Sequence, residues 1–186
     1  MALGATVYKA QLSISDIDRG WYGQPTLTIA RHPSETEERL MLRALAWCMR
    51  AGEHLEFGRG LSTDGDPALW EVDDTGAIIE WVELGAPDVR TVRKAAGKSD
   101  HVLVVAYDQD RTTPWWESVK GEFSKIDKLT VVFVCDEEAA QLAAMASRNM
   151  KLAVTIQDGV IWVSSDKANV QINPEVLKRE SNRWTD

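Results

Sequence analysis

Residues 6–15 alternate strictly. Tyr8, Ala10, Leu12 and Ile14 fall on one side, and Lys9, Gln11 and Ser13 on the other. That is the period of a half-exposed strand. A second strand is predicted over 25–31, with Leu27 and Ile29 inward, to make an antiparallel hairpin with the first. The period then changes. Met41, Leu42, Leu45, Cys48 and Met49 share one face at about 100° per residue, so a helix is predicted over 35–51, ending at Gly52. Ser34 and Glu37 have the S-x-x-E spacing of a capping box at its start. Leu40 and Trp47 point off the main face, which implies that the back of this helix is also covered. Glu38 falls inside the apolar face, and Arg39, Arg43 and Arg50 lie on a neighbouring polar stripe.

The stretch 66–98 organises the middle of the chain. It reads as a hairpin feeding a helix, after a short strand at 54–57 and a loop. The second hairpin strand, 78–84, is apolar on both faces: Ile78, Val82 and Leu84 on one, Ile79 and Trp81 on the other. Such strands are central in covered sheets. Glu83 ends it on the Trp81 face, a costly place for a carboxylate without a partner or a task. A turn centred between Asp74 and Thr75 sets Glu83 opposite Asp66 and Trp81 opposite Ala68; a one-residue slip would move Asp66 to the other face.

Asp88 caps a helix over 89–97, followed by the apolar strand 101–107, a helix over 113–123 and the apolar strand 129–135. Two strand–helix–strand units with short connections predict that 78–84, 101–107 and 129–134 are parallel neighbours. Trp115 and Trp116 read as packing residues. A fourth helix is expected from Asp136 to about residue 148, then a hairpin around Asp158-Gly159. The polar segment 174–186 reads as a loose tail. The fold class is thus a single α/β domain over 1–186, with a mixed sheet and antiparallel hairpins at both ends.

Composition adds little to this pattern. A net charge of −8 argues against non-specific grip on nucleic acid but leaves room for a local basic patch. Cys48 and Cys135 are far apart in apolar runs and read as reduced core residues. The N-terminus lacks the apolar core of a signal peptide, and no run is long enough to span a membrane, so a cytoplasmic protein is expected.

Most catalytic chemistries lack their motif. There is no H-E-x-x-H, no C-x-x-C, no G-x-S-x-G, and no glycine-rich loop for a nucleotide cofactor. Carboxylate chemistry remains. Helix with Glu38, strand, strand starting near Asp66, strand ending at Glu83, helix with Arg93 and Lys94, strand: this α-β-β-β-α-β order resembles the PD-(D/E)xK nuclease core. In that scheme Asp66 and Glu83 hold Mg²⁺ or Mn²⁺ against a substrate phosphate. Two departures stand out: Asp66-Pro67 reverses the Pro-Asp order, and Gly85 occupies the position of the motif lysine. The site cation then comes from the next helix, as Lys94 or Arg93, with the helical wheel favouring Arg93 for reaching the sheet. In the structural alternative, Glu83 simply pairs with an arginine such as Arg39.

A second resemblance covers nearly the whole chain. MALGATVYKA, ARHPSETEERLMLRALAW, WVELGAPD, VRKA and IQDGVIWVS resemble the YaeQ family of bacterial proteins. The resemblance implies a fold similar to the PD-(D/E)xK nucleases with the motif altered, and it points to Glu38, Arg39, Glu83, Asp88 and Lys94. Two functions follow as expectations: a Mg²⁺- or Mn²⁺-dependent phosphodiesterase acting on nucleic acid through Glu38, Asp66, Glu83 and Lys94, with Arg39 and Arg93 holding substrate, or a nuclease fold without chemistry that binds a nucleic-acid or protein partner.

Overall fold

The structure is a computed structural model that describes residues 4–59 and 65–181. In chain order the elements are β1 (Thr6–Asp16), β2 (Trp21–Gly23), β3 (Thr26–Arg31), α1 (Glu37–Met49), β4 (Leu55–Phe57), β5 (Leu69–Val72), β6 (Ile78–Leu84) and α2 (Val89–Lys98). They continue with β7 (Ser99–Ala106), α3 (Gln109–Phe123), β8 (Leu129–Phe133), α4 (Asp136–Ala143), β9 (Asn149–Gln157), β10 (Val160–Ser164), β11 (Asn169–Ile172) and β12 (Glu175–Lys178). Among the described residues the strands form two mixed sheets of six.

The first sheet runs β11-β10-β9-β1-β2, with β3 also paired to β1. The β1–β3 hairpin expected from alternation is present, with Tyr8 opposite Ile29 and Ala10 opposite Leu27. So is the β9–β10 hairpin, whose turn holds Asp158 at φ 53° and Gly159 at φ 75°. The two terminal hairpins are not separate, however. β1 and β9 pair in parallel from Lys9↔Asn149 to Asp16↔Ile156, which fuses them into one sheet.

The second sheet runs β12-β8-β7-β6-β5-β4. β6, β7 and β8 are parallel neighbours, joined through α2 and α3 as the two apolar runs predict. The β5–β6 register differs from expectation. Trp70 faces Trp81 and Leu69 faces Val82, two positions from the expected pairing. The register shifts between Glu71 and Val72, and Ile78 consequently packs on the Trp81 side instead of beside Val82. Glu83 is therefore not directly opposite Asp66, which lies before β5 begins.

α1 fills the space between the sheets. Every residue from Leu40 to Cys48 is buried, because one side of the helix meets the first sheet and the other meets Leu69, Val82, Leu103 and Val105 of the second. α4 joins the same layer through Ala139 and Leu142. The opposite face of the second sheet is covered by α2 and α3 around Trp81, Val92, Val104, Val119 and Phe123. Trp115 and Trp116 pack on Phe123 at centroid distances of 5.8 and 6.3 Å, and Trp115 donates its Nε1–H to the Pro87 carbonyl at 2.8 Å. They are packing residues.

Several boundaries differ from the sequence expectation. α3 starts at Gln109, four residues before the expected 113, where Asp108 caps it. α1 starts at Glu37, and its cap is Thr36, whose Oγ1 accepts from the Arg39 N–H at 3.1 Å; Ser34 instead contacts the ring of His32. α4 ends at Ala143, well short of residue 148. The expected loose tail includes β12, which pairs antiparallel with β8, and Glu180 beyond it is buried. Residues 182–186 lie outside the described residues. Both cysteines are free thiols: Cys48 is buried, which pushes its pKa up to about 12, and Cys135 is half-buried before α4.

Candidate functional site

The C-terminal ends of β6 and β7 meet the first turn of α1 at one end of the molecule. Glu83 stands there, half-buried, and accepts a hydrogen bond from Trp81 Nε1 at 2.8 Å. Burial raises its pKa above the ordinary carboxylate range. The indole hydrogen bond and the positive charge of Arg39 oppose that rise without cancelling it. Its Oε2 accepts no hydrogen bond from a described residue.

Tyr107 lies just past β7 and was not anticipated. Burial raises its phenol pKa, and Arg39, Glu38, Arg111 and Glu35 all act on it electrostatically, which places it between the α1 charges and the strand ends. Its ring edge is 3.8 Å from the point a Cβ on Gly85 would occupy. Gly85 has φ +90°, and its N–H donates to the Val105 carbonyl at 2.9 Å. That backbone state is strained for any residue with a Cβ. The sequence position of the motif lysine is thus reserved for glycine by the turn that leaves β6. A tyrosine directly after a buried parallel strand is the signal that would have pointed to residue 107.

Glu38 is half-exposed, and burial again heads the causes of its raised pKa, followed by repulsion from Asp136 and Asp108. It belongs to the mouth formed by the starts of α1, α3 and α4. Arg39 makes its ion pair with Glu35 at 2.9 Å, so the alternative in which Arg39 neutralises Glu83 by direct contact does not hold. Glu35 is the acid that sequence reasoning missed. It is buried, binds Arg43 through two contacts of 2.8 Å, and shares Arg39. Arg43, expected on a polar stripe, is buried, donates to the Ala30 carbonyl at 2.8 Å and lies over the Phe57 ring. The spacing of Glu35, Arg39 and Arg43 at successive fourth positions was a usable signal for this network.

Asp66 sits at the same end, before β5. The loop base is pinned by Gly58, where an added Cβ would lie 1.9 Å from the Pro67 carbonyl oxygen. The Gly58 N–H donates to Ala68 O at 2.9 Å. Asp66 Oδ2 is buried without a hydrogen-bond partner, and its nearest cation is Arg59 at 3.8 Å. Lys94 reaches toward this loop, with its Nζ 3.6 Å from where a Cβ on Gly65 would stand. Arg93 turns the other way, to Glu122 on α3. The helical wheel favoured Arg93, but Arg93 belongs to a surface ion pair, and Lys94 is the one of the two that lies beside the Asp66 loop. Asp88 is the N-cap of α2, its carboxylate accepting from the Thr91 N–H at 2.7 Å, a structural duty that lowers its pKa.

The structure thus groups Glu83, Arg39, Tyr107 and Glu38, and places Asp66 with Arg59 and Lys94 at the loop before β5. Among the described residues no three His, Cys, Asp or Glu side chains are arranged to hold a metal ion. No helix among them is long and apolar enough to cross a membrane.

Comparison with known proteins gives one family. Residues 1–174 match the family model described as YaeQ protein. A protein of Escherichia coli strain K12 named "Uncharacterized protein YaeQ" is 44% identical over 173 residues, 93% of this chain and 96% of that one. Its namesake from Salmonella typhi is 43% identical over 92% and 95% of the two chains. The crystal structure of YaeQ from Xanthomonas axonopodis pv. citri superposes with a TM-score of 0.91 at 42% identity, covering 94% of this chain and 98% of that one. The Pseudomonas syringae YaeQ crystal structure does so with 0.89 at 33% identity, covering 95% and 98%. On the match across residues 1–174 and these full-length relatives, the chain belongs to the YaeQ family.

Proposed function

We propose that this protein is a metal-dependent phosphodiesterase acting on nucleic acid, built on a core similar to that of the PD-(D/E)xK nucleases. The observation that carries the proposal is Glu83. It is a half-buried carboxylate with a raised pKa and one free oxygen, at the end of a central strand in the order α1-β4-β5-β6-α2-β7.

The fit of a divalent cation rests on two oxygens. Asp66 Oδ2 and Glu83 Oε2 each lack a hydrogen-bond partner among the described residues, in a loop base and at a strand end that face the same edge of the sheet. Mg²⁺ is ordinarily held by one or two carboxylates with substrate phosphate and water completing the octahedron, so two such groups suit it without a third protein ligand. When bound, such an ion polarises a phosphoryl oxygen and lowers the pKa of bound water. The chain's own groups do the rest. Lys94 approaches over the Asp66 loop and offers charge to a phosphate. Arg39 and Arg111 bring positive charge to the surroundings of Tyr107, beside the acids Glu38 and Glu35. Trp81 fixes the rotamer of Glu83, and Glu38 with its raised pKa holds a proton more readily than an ordinary glutamate.

A second reading, a nuclease fold retained as a nucleic-acid or protein binding module, is favoured by Gly85, whose φ of +90° keeps the motif lysine from its usual place. One experiment separates the two. Fluorescent single- and double-stranded oligonucleotides are incubated with Mn²⁺ or Mg²⁺ and the wild type, Asp66→Asn, Glu83→Gln or Lys94→Ala. The phosphodiesterase predicts metal-dependent cleavage that falls about 10²-fold or more in each carboxylate variant. Binding without cleavage, unchanged by metal, establishes the binding module instead.

A further inference from the structure

The other end of α1 carries a different feature. α1 fills the layer between the two sheets only as far as Met49, while β1, β9 and β10 on one side and β8 and β12 on the other run past it. The space the helix vacates is a cavity of about 350 Å³. That is within the range of small-molecule sites, roughly 300–1,000 Å³. It lies about 17 Å along the helix from Glu38, at 1.5 Å per residue, and shares no residue with the candidate active site.

Its walls are Met49, Val132, Ile156, Ile161 and Val176, with more apolar than polar surface. Val176 is 38% exposed, one of the few large aliphatic side chains among the described residues left that open. The charged groups of the lining are mostly committed. Asp16 takes the Arg19 N–H at 3.0 Å and its guanidinium at 3.5 Å. Asp18 accepts from the amides of Asp158 and Gly159 at 2.7 and 2.9 Å. Glu180 contacts the His101 ring at 2.7 Å, and Arg50 pairs with Glu80 at 3.2 Å. Arg19 also donates to the Met49 and Ala51 carbonyls, which covers the negative end of the helix with positive charge. Arg179 at the cavity is exposed and makes no ion pair among the described residues. Among the described lining residues, the one charge without an ion pair or hydrogen-bonded partner beside this apolar chamber is thus a cation.

We infer that this cavity binds a small amphipathic carboxylate, its hydrocarbon body continuing the helix layer between the sheets and its carboxylate meeting Arg179 at the mouth. The contribution of area burial is general to any apolar body; the head-group preference is what Arg179 adds.

The test is a protein-detected amide NMR titration with octanoate, 1-octanol and octylamine, three probes with one body and three heads. Octanoate is expected to shift amides of β8, β9 and β12 saturably. It should bind about fivefold more tightly than 1-octanol and more tightly still than octylamine, the effect of one partly exposed charge-assisted hydrogen bond. Arg179→Gln, an exposed change, should bring octanoate down to the level of 1-octanol. Val176→Trp, also at an open position, should fill the cavity and weaken all three together. Glu83→Gln should leave all three unchanged. No saturation by octanoate overturns the inference, as does saturation that survives Val176→Trp or octylamine binding as well as octanoate.

Discussion

Glu35 and Glu83 are both acids withdrawn from water at the start of the inter-sheet layer, and they are treated in opposite ways. Glu35 is held by two arginines through three short contacts, and the Arg31 Nε–H binds its backbone carbonyl at 2.8 Å. Glu83 has an indole hydrogen bond and a more distant arginine, and its pKa stays raised. The first arrangement locks α1 to the chain that enters it. The second leaves a half-buried carboxylate with no ion pair among the described residues. The proposed function therefore rests on the acid that the fold leaves with a single hydrogen bond, not on the one that it pairs. Glu35, although more deeply buried, is an anchor.

That contrast is broken most directly at Glu35. Replacing it with Ala leaves Arg43 buried with no carboxylate, and breaking one side of a buried pair costs about 3–5 kcal/mol. Urea denaturation of Glu35→Ala should show a loss of that size. A loss under about 1 kcal/mol would mean that water reaches Arg43 and that the network is not an anchor.

The next effect is at Gly85. An added Cβ at φ +90° should cost about 1–2 kcal/mol, so Gly85→Ala is expected to lower the denaturation midpoint accordingly, and Gly85→Lys to do the same without raising the proposed activity above wild type. A fully stable Gly85→Lys would show that the turn accepts the motif lysine, and with it that the departure from the nuclease pattern has another origin.

How much of this was legible follows from the range of each interaction. The β1–β3 and β9–β10 hairpins and the parallel units through α2 and α3 are set by local periodicity and turns, and they stand as read. The parallel pairing of β1 with β9 joins segments some 140 residues apart, and nothing in either segment names the other. The β5–β6 register slid by two because the turn and the irregularity near Glu71 absorb residues that a simple two-residue hairpin does not. The face of Glu83 survived that slide, since two positions return a strand to the same side. The polar stripe that carries Arg43 was legible but its partner Glu35 was not: a helix between two sheets has no solvent side, and such a stripe must find internal partners.

A smaller effect separates two capping assignments. Thr36→Ala removes the acceptor for the Arg39 N–H and should cost about 1 kcal/mol. Ser34→Ala, at an exposed residue outside the helix, should stay within about 0.5 kcal/mol of wild type. Equal costs would restore the S-x-x-E capping box in place of the Thr36 cap.

The smallest expected effect sharpens the contrast from the side of Glu83, through pH. Its folded pKa is raised, so between the unfolded value near about 4.3 and the folded value the native state binds more protons than the unfolded state. Stability contributed by this group therefore grows as pH falls through the folded pKa and is complete at the unfolded one. Above the folded pKa the ionised carboxylate penalises the fold. Glu83→Gln keeps an oxygen for the Trp81 indole and removes the charge, so it should raise the melting temperature at pH 7, and wild type should recover the difference as the pH is lowered toward about 4.3. Asp88 behaves in the opposite sense. Its depressed pKa, set first by the Thr91 N–H, makes its contribution present at neutral pH and lost on acidification, so Asp88→Ala should weaken the fold most above pH 4 or so. Thermal melts of wild type and both variants across this range decide the matter. If Glu83→Gln melts lower than wild type at pH 7, Arg39 neutralises Glu83 after all, and the unsatisfied carboxylate on which the proposed chemistry rests does not exist.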